Sequence, residues 1–358
     1  MINNKKIYIN GTGVISPQAT FDTSTFPEEI ISSETKQLKC REPNYKDYIS
    51  GDLVRRMSRL IKMGVAASKI CMKDALCEMP DAIITGTGLG CIEDTGKFLT
   101  AMIRNKEEFL TPTSFIQSTH NTVSAQIALL LKCHRYNFTY VHRGISFESA
   151  LLDSVIQAEL GNVSTVLLGG LDELTPNSFG IMNRLGLWKR NPVNNLDLFK
   201  SNTRGTIAGE GAAFFLLSTN MTVQSYARIR AVETVFQPDH RIGPEAGIVS
   251  FLDRNDMAPE DIDLLVLGLN GDMVQDPIYH HLHKNLFPGA GVACFKHLCG
   301  EYFTAGSFGL WIAAMILKSQ TIPPVLQLGD QRPEKLNHLL LYNQHHGTNH
   351  AVTLLSRI

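Results

Sequence analysis

The chain has 358 residues, 44% hydrophobic and 19% charged, with a formal net charge of −1, and a chain of this length buries roughly 75% of its unfolded surface. No lysine-arginine stripe accompanies the near-neutral balance, which excludes duplex nucleic acid and an anionic membrane as expected partners. Seven cysteines form no CxxC pair, and the odd count predicts reduced, mostly buried thiols rather than a secreted disulfide framework.

Residues 6–15 alternate and close on Gly11 and Gly13, predicting a first strand. The N-terminus has no signal-peptide pattern and no run of about 18 apolar residues occurs, so the expected location is cytoplasmic. Residues 17–50 are rich in Ser, Thr, Pro and charge and predict surface loop with short helices. From Asp52 to Met79 apolar residues recur at helical spacing, predicting one long amphipathic helix with Arg55, Arg56, Arg59 and Lys62 as a solvated face. The apolar run closing on Gly86, Gly88 and Gly90 lacks the register of a dinucleotide fingerprint and the acidic residue that should follow it. Its glycines instead predict close backbone approach to another strand or subunit. Residues 111–133 predict a turn and then a helix from about Thr122, with His120 either capping that helix or lining a pocket.

Tyr140–Asp172 is the stretch on which chemistry would be mounted. It reads as a strand end, a tight turn at Gly144, a helix from about Phe147 to Leu160 and a buried strand from Thr165. A helix N-terminus behind a sharp turn suits a nucleophile, because its unpaired N–H groups favour negative charge. Further on, 201–218 predicts a glycine-rich turn into a strand, 227–236 and 262–270 predict strands, and 243–257 a helix. Residues 296–317 predict a turn into an apolar helix, and the last 21 residues two strands joined by a polar loop. The same succession of elements occurs twice, over 6–171 and 209–358, and divides the chain into halves at 1–205 and 206–358. His281-Leu282-His283 falls on an exposed helix face, so neither a metal nor another cofactor is expected.

In order along the chain, GTGVISP, RRMSRLIKMGVAAS, TGTGLG, AELGNVSTVLLGGLDE, RGTIAGEGAAFFLL, KHLCGEYFTAGSFG and GTNHAVTLL resemble the β-ketoacyl synthase family of the thiolase superfamily across nearly the whole length. The resemblance implies an α/β, thiolase-like fold of five layers, αβαβα, built from two pseudo-duplicated halves, in dimers with sites near the subunit interface. Family enzymes place a cysteine nucleophile at the helix start and two histidines from the second half, which support decarboxylation of a malonyl group on acyl carrier protein. A helix N-terminus stabilises a thiolate, and neutral imidazoles donate to a developing enolate.

Counting back without a gap from Gly161 and the Gly169-Gly170 pair, the nucleophile position falls on Gly144, and no cysteine lies between Cys133 and Cys294. The first histidine position falls in the strand end that holds Asn270, and the second, in Lys296-His297-Leu298-Cys299-Gly300-Glu301, falls on Glu301. A carboxylate there cannot donate to an enolate oxygen unless it is protonated. Candidate substitutes are Ser146, which also reads as a helix cap, His142 beside the turn, and His345 and His346, in the loop that resembles the family's gate and that reads more simply as polar surface. The resemblance places Lys296, Glu301, His120 and Gly347 around the substrate pocket.

Loss of all three catalytic side chains on a retained scaffold is what a non-condensing subunit predicts, similar to the chain-length factors of type II polyketide systems. Such a subunit works with an active ketosynthase and acyl carrier protein in fatty acid, polyketide or aryl polyene biosynthesis. TPTSFIQSTHNT and TYVHRGISFESALLD further resemble ketosynthase-like proteins of aryl polyene and flexirubin-type pathways. The alternatives are an active β-ketoacyl-ACP synthase or acyltransferase with an unconventional site, and a scaffold that binds acyl carrier protein. Pairing as a heterodimer with a ketosynthase or as a homodimer stays open, as does acyl chain length.

Overall fold

A computed structural model describes residues 5–21, 25–238 and 243–358. Apolar and β-branched runs form ten strands of one sheet: β1 (Ile7–Ile15), β2 (Ala82–Gly86), β3 (Tyr136–Tyr140), β4 (Thr165–Asp172), β5 (Gly211–Ser218), β6 (Ala227–Phe236), β7 (Leu264–Leu267), β8 (Gly291–Cys294), β9 (His338–His345) and β10 (Asn349–Ser356). Their spatial order is β8-β7-β9-β10-β6-β1-β5-β4-β2-β3. Each set of five, counted inward from its own edge, follows the permutation 3-2-4-5-1, with the same parallel and antiparallel pairings. The repetition expected from pattern alone is therefore present in topology. Within the sheet the sets meet along three residue pairs, Ile7, Tyr8 and Ile9 pairing antiparallel with Ile229, Arg228 and Ala227.

Helices complete the five layers. On one outer face α1 (Arg59–Asp74) and α2 (Thr122–Leu131) pack with Ile83, Leu167 and Phe214 of the first set. Between the sets lie α3 (Ser146–Glu159) and, later in the chain, a helix over Gly306–Ser319. On the other outer face α4 (Glu245–Asp253) and α5 (Pro277–Leu286) cover the second set. The helix Gly306–Ser319, α6, is buried on every side from Gly306 to Leu317. A helix with no polar face has no surface to offer water, so the interior layer is the place that suits it.

Several expectations change. β5, read as the head of the second series, pairs with β1 and β4 of the first, and the second set begins at Ala227. The helix expected over 52–79 is broken: a short turn at Gly51–Val54 precedes α1, and residues 55–58 separate them. Arg59 does not join a solvated face, because it reaches the buried Glu210. Residues 17–50, of which 22–24 lie outside the described residues, as do 1–4, also contribute to the interior. Leu38 packs with Leu198 and Ile207, and a two-residue strand, Glu34–Thr35, pairs with Val193–Asn194. The first glycine turn works through close approach, but to other neighbours than those expected. A Cβ on Gly86 would meet the Ser146 carbonyl at the start of α3, and one on Gly88 the ring of Phe303. All seven cysteines are free and five are buried. Among the described residues, no helix is long and apolar enough to cross a membrane.

Candidate functional site

The turn expected at Gly144 is a 3-10 turn over Arg143–Ile145 leading directly into α3, with Arg143 in the left-handed region at φ 48°. Ser146 is wholly buried, and its hydroxyl closes this turn: Oγ accepts from the His142 N–H at 2.7 Å and donates to the Arg143 carbonyl at 2.8 Å. The cap expected of Ser146 is not formed: Ser146 is the first residue of α3, its bonds run back into the preceding turn, and the N-cap is Ile145, with no side-chain cap bond. His142 itself is exposed.

Gly144 is buried, and the space its side chain would take is filled from the other half of the molecule. A Cβ there would overlap Cβ, Cγ and Cδ2 of His345, at the end of β9. Burial drives the His345 imidazole down to about 3, assisted by the positive neighbours His346, Lys296 and Arg143, so the ring is neutral at pH 7. It stacks in a tilted arrangement on Phe303 with centroids 5.3 Å apart and meets His346 edge-on at 4.2 Å.

Beside His345 lies a cavity of about 60 Å³ that also touches Asn270 and Glu301. The structure thus brings the two expected histidine positions together, with different groups in them. Asn270 Nδ2 donates to Glu301 Oε2 at 2.8 Å, and the wholly buried Lys296 donates to Oε1 at 3.0 Å and Oε2 at 2.8 Å. Asn270 Oδ1 accepts from the Asp272 N–H at 3.1 Å. The result is a carboxylate locked between a lysine and an amide where the family resemblance implies imidazole donors.

The remaining predicted positions spread out. His346 lines the rim, its Nδ1 3.2 Å from Gln275 Nε2. Gly347 is exposed in the three-residue turn joining β9 to β10, at φ 64°, and its N–H donates to Gln344 Oε1 at 2.6 Å. His120 is exposed, between the short helix Pro112–Ser118 and α2, and its ring lies against Gly90 rather than in the cavity. His281 is exposed and Leu282 buried, while His283 Nε2 lies 3.1 Å from the Ala290 carbonyl.

Three residues escaped the sequence reading. Asp172, at the end of β4, accepts from Thr87 Oγ1, the Gly88 N–H and both the N–H and hydroxyl of Thr304, at 2.8–3.0 Å, so one carboxylate ties the glycine turn of the first half to the turn before α6. Glu210, just before β5, is wholly buried and accepts from both terminal nitrogens of Arg59. Glu148 lies in the first turn of α3; it is buried, and its Oε2 has no hydrogen-bond partner. The available signal was an acidic residue inside an apolar run, which is rare unless it is paired.

Burial pushes the Glu148 carboxyl up to about 7, against the pull of its own backbone N–H, Lys296 and Asn343. Between its ordinary value and about 7 the folded protein keeps a proton that the unfolded chain has lost, so the folded state loses stability as pH rises through that window. Glu148→Gln, which imitates the protonated acid, should gain stability over the parent between about pH 5 and pH 8, by up to about 3 kcal/mol. Urea unfolding at a series of pH values measures the difference, and a gap that stays flat with pH would refute the assignment.

The layers, the repeated strand order and this pocket define a mixed α/β protein of the thiolase-like ketosynthase fold. Residues 6–222 match the family description "Beta-ketoacyl synthase, N-terminal domain", and the chain belongs to the β-ketoacyl synthase family. No curated protein matches it by sequence. Among solved structures it is similar to the ishigamide ketosynthase/chain length factor, at 18% identity and TM-score 0.82, covering 99% of this chain and 100% of that one. It is also similar to a β-ketoacyl synthase from Burkholderia phymatum STM815, at 15% identity and TM-score 0.77 with the same coverage. A third likeness is to a ketosynthase in complex with its chain length factor from Xenorhabdus doucetiae, at 16% identity and TM-score 0.76, covering 99% of this chain and 98% of that one.

Proposed function

We propose that the chain is a non-condensing β-ketoacyl synthase-like subunit of the chain-length-factor type. It acts with an active ketosynthase and acyl carrier protein in fatty acid, polyketide or aryl polyene biosynthesis, in the cytoplasm. One observation carries the reading: at Gly144, the position that the family resemblance assigns to a cysteine, the space a side chain would take is filled by His345. Condensation needs a nucleophile to hold the acyl chain and donors to stabilise an enolate. Here the nucleophile is absent, and the groups at the donor positions are a carboxylate and an amide already bonded to it.

The surface supports a partner. Among the described residues β3 has one neighbour, β2, so its other edge is open. Tyr136 and Phe138 of this strand are exposed, and Phe138 shares an open groove with the exposed Leu129 of α2. An open apolar edge is a template for adding a strand from another chain. Two of the structural relatives are described as pairing a ketosynthase with a chain length factor, and another as a ketosynthase in complex with an acyl-carrier protein.

One feature favours the alternative of an altered acyltransferase: the neutral His345 imidazole borders the cavity and has the electron pair to attack a thioester. Intact mass after incubation with acyl-loaded carrier protein separates the two. We expect no acyl adduct, and a heterodimer by size exclusion when the chain is co-expressed with a cysteine-containing ketosynthase. An adduct lost in His345→Ala, or a homodimer that ignores every ketosynthase offered, would overturn the proposal.

A further inference from the structure

The polar end of the cavity has an unusual hydrogen-bonding balance. Several donors on its wall are already committed: Thr206 Oγ1 donates to the Asn270 carbonyl at 2.6 Å, Ser178 Oγ to the Thr175 carbonyl at 3.1 Å and Trp188 Nε1 to the Phe179 carbonyl at 3.3 Å. Asn270 Nδ2 and Lys296 Nζ both point at Glu301. Glu301 Oε2 receives two of these bonds, whereas Oε1 receives one, from Lys296. A carboxylate oxygen accepts two, so Oε1 keeps a free acceptor direction, and the Glu301 side chain retains 14% of its exposure. The rest of the lining is largely apolar, from Leu89, Leu174, Met182, Leu187, Trp188 and Phe303.

We propose that this cavity binds an alkyl chain ending in a hydroxyl, which donates to Glu301 Oε1, and that it discriminates against chains ending in a carbonyl, ether or carboxylate. A carbonyl or ether oxygen brings a second acceptor to an acceptor, and a carboxylate adds like charge. The apolar walls take the chain, and the fixed carboxylate reads its end. The selectivity is opposite in sign to that of a site built to hold a thioester oxygen. The inference rests on the reading that family condensation is lost here, yet it has a separate readout, because it concerns binding in the isolated chain and involves neither acyl transfer nor a partner.

The test uses the full chain at pH 7 with three probes of equal length, 1-octanol, 1-methoxyheptane and octanoate, followed by Trp188 fluorescence and calorimetry. The alcohol should bind at least about tenfold more tightly than either analogue, the penalty for leaving a buried acceptor unmatched. In a Lys296→Met/Glu301→Leu double variant, which removes both charged partners together and so avoids stranding one, the preference for alcohol over ether should fall to about threefold or less. Ether or octanoate binding as tightly as the alcohol, no binding of any probe, or a preference that survives in the double variant would each overturn the proposal.

Discussion

Gly144→Cys, the substitution that restores the family nucleophile by sequence, should yield a less stable protein with no condensing activity. The new Cβ would overlap three carbons of His345, and that ring is wedged between Phe303 and His346. Overpacking a filled interior typically costs 1–3 kcal/mol, and a backbone-proximal overlap belongs at the upper end, about 3 kcal/mol. The coupled variant Gly144→Cys/His345→Gly should regain most of that loss, since the three nearest atoms all belong to the His345 side chain and glycine removes its Cβ as well. Even so, it should not decarboxylate malonyl-loaded carrier protein, because the Glu301 carboxylate offers no donor to an enolate and the Asn270 amide is bonded to that carboxylate. Chemical denaturation of the two single variants and the double gives the coupling energy, and carbon dioxide release gives the activity. A Gly144→Cys protein as stable as the parent would mean that His345 does not occupy this space.

Removal of Glu210 should be the most damaging single change, at about 3–5 kcal/mol. Its carboxylate is wholly buried and accepts from the Cys40 and Leu174 N–H groups at 2.9 Å, while both terminal nitrogens of Arg59 donate to it at 2.7 Å. Glu210→Ala strands the Arg59 charge and both amides. Because Cys40 lies in the N-terminal loop, Arg59 begins α1 and Leu174 follows β4, the loss loosens three segments together. Burial alone would raise the Glu210 carboxyl, but Arg59 outweighs it and holds the group below its ordinary range. The stabilisation is therefore present at neutral pH and is lost as pH falls through that lowered value. The parent should lose this contribution on acidification and Glu210→Ala should not, so their stabilities should converge at low pH in urea titrations. A gap unchanged between neutral pH and acid would rule the ion pair out as its source.

These two cases mark how far linear pattern carries. The motifs RRMSRL and GEGAA each read as marks of resemblance; the fold makes them one device, Arg59 from the first gripping Glu210 from the second. Arg59 had looked like a solvated cation because helical periodicity assigns a face and says nothing about what a distant strand places against it. Most strands were legible because apolar runs bounded by glycines and polar turns report a local preference, but the four-residue β8 was not read and of β3 only the end was. The placement of β5 was not, because strand order is settled by long-range pairing, and β5 pairs with β1 and β4 ahead of it rather than with the strands that follow. His345 read more simply as loop surface because it stands beside a turn, yet it is the last residue of β9 and faces inward over Gly144.

What the sequence by itself determined is which residues stand at the positions that the family resemblance assigns to cysteine and histidine. Covalent spacing from Gly161 and Gly169-Gly170 back to Gly144, and from Lys296 to Glu301, is independent of folding, so those residues could be read directly. What only the tertiary structure decided is what took their place. His345 over Gly144, and Asn270 with Lys296 around Glu301, are contacts between segments far apart in the chain. They exist because the two five-stranded sets pack on a shared layer of helices, which carries the turn at Gly144 and the end of β9 to the same point.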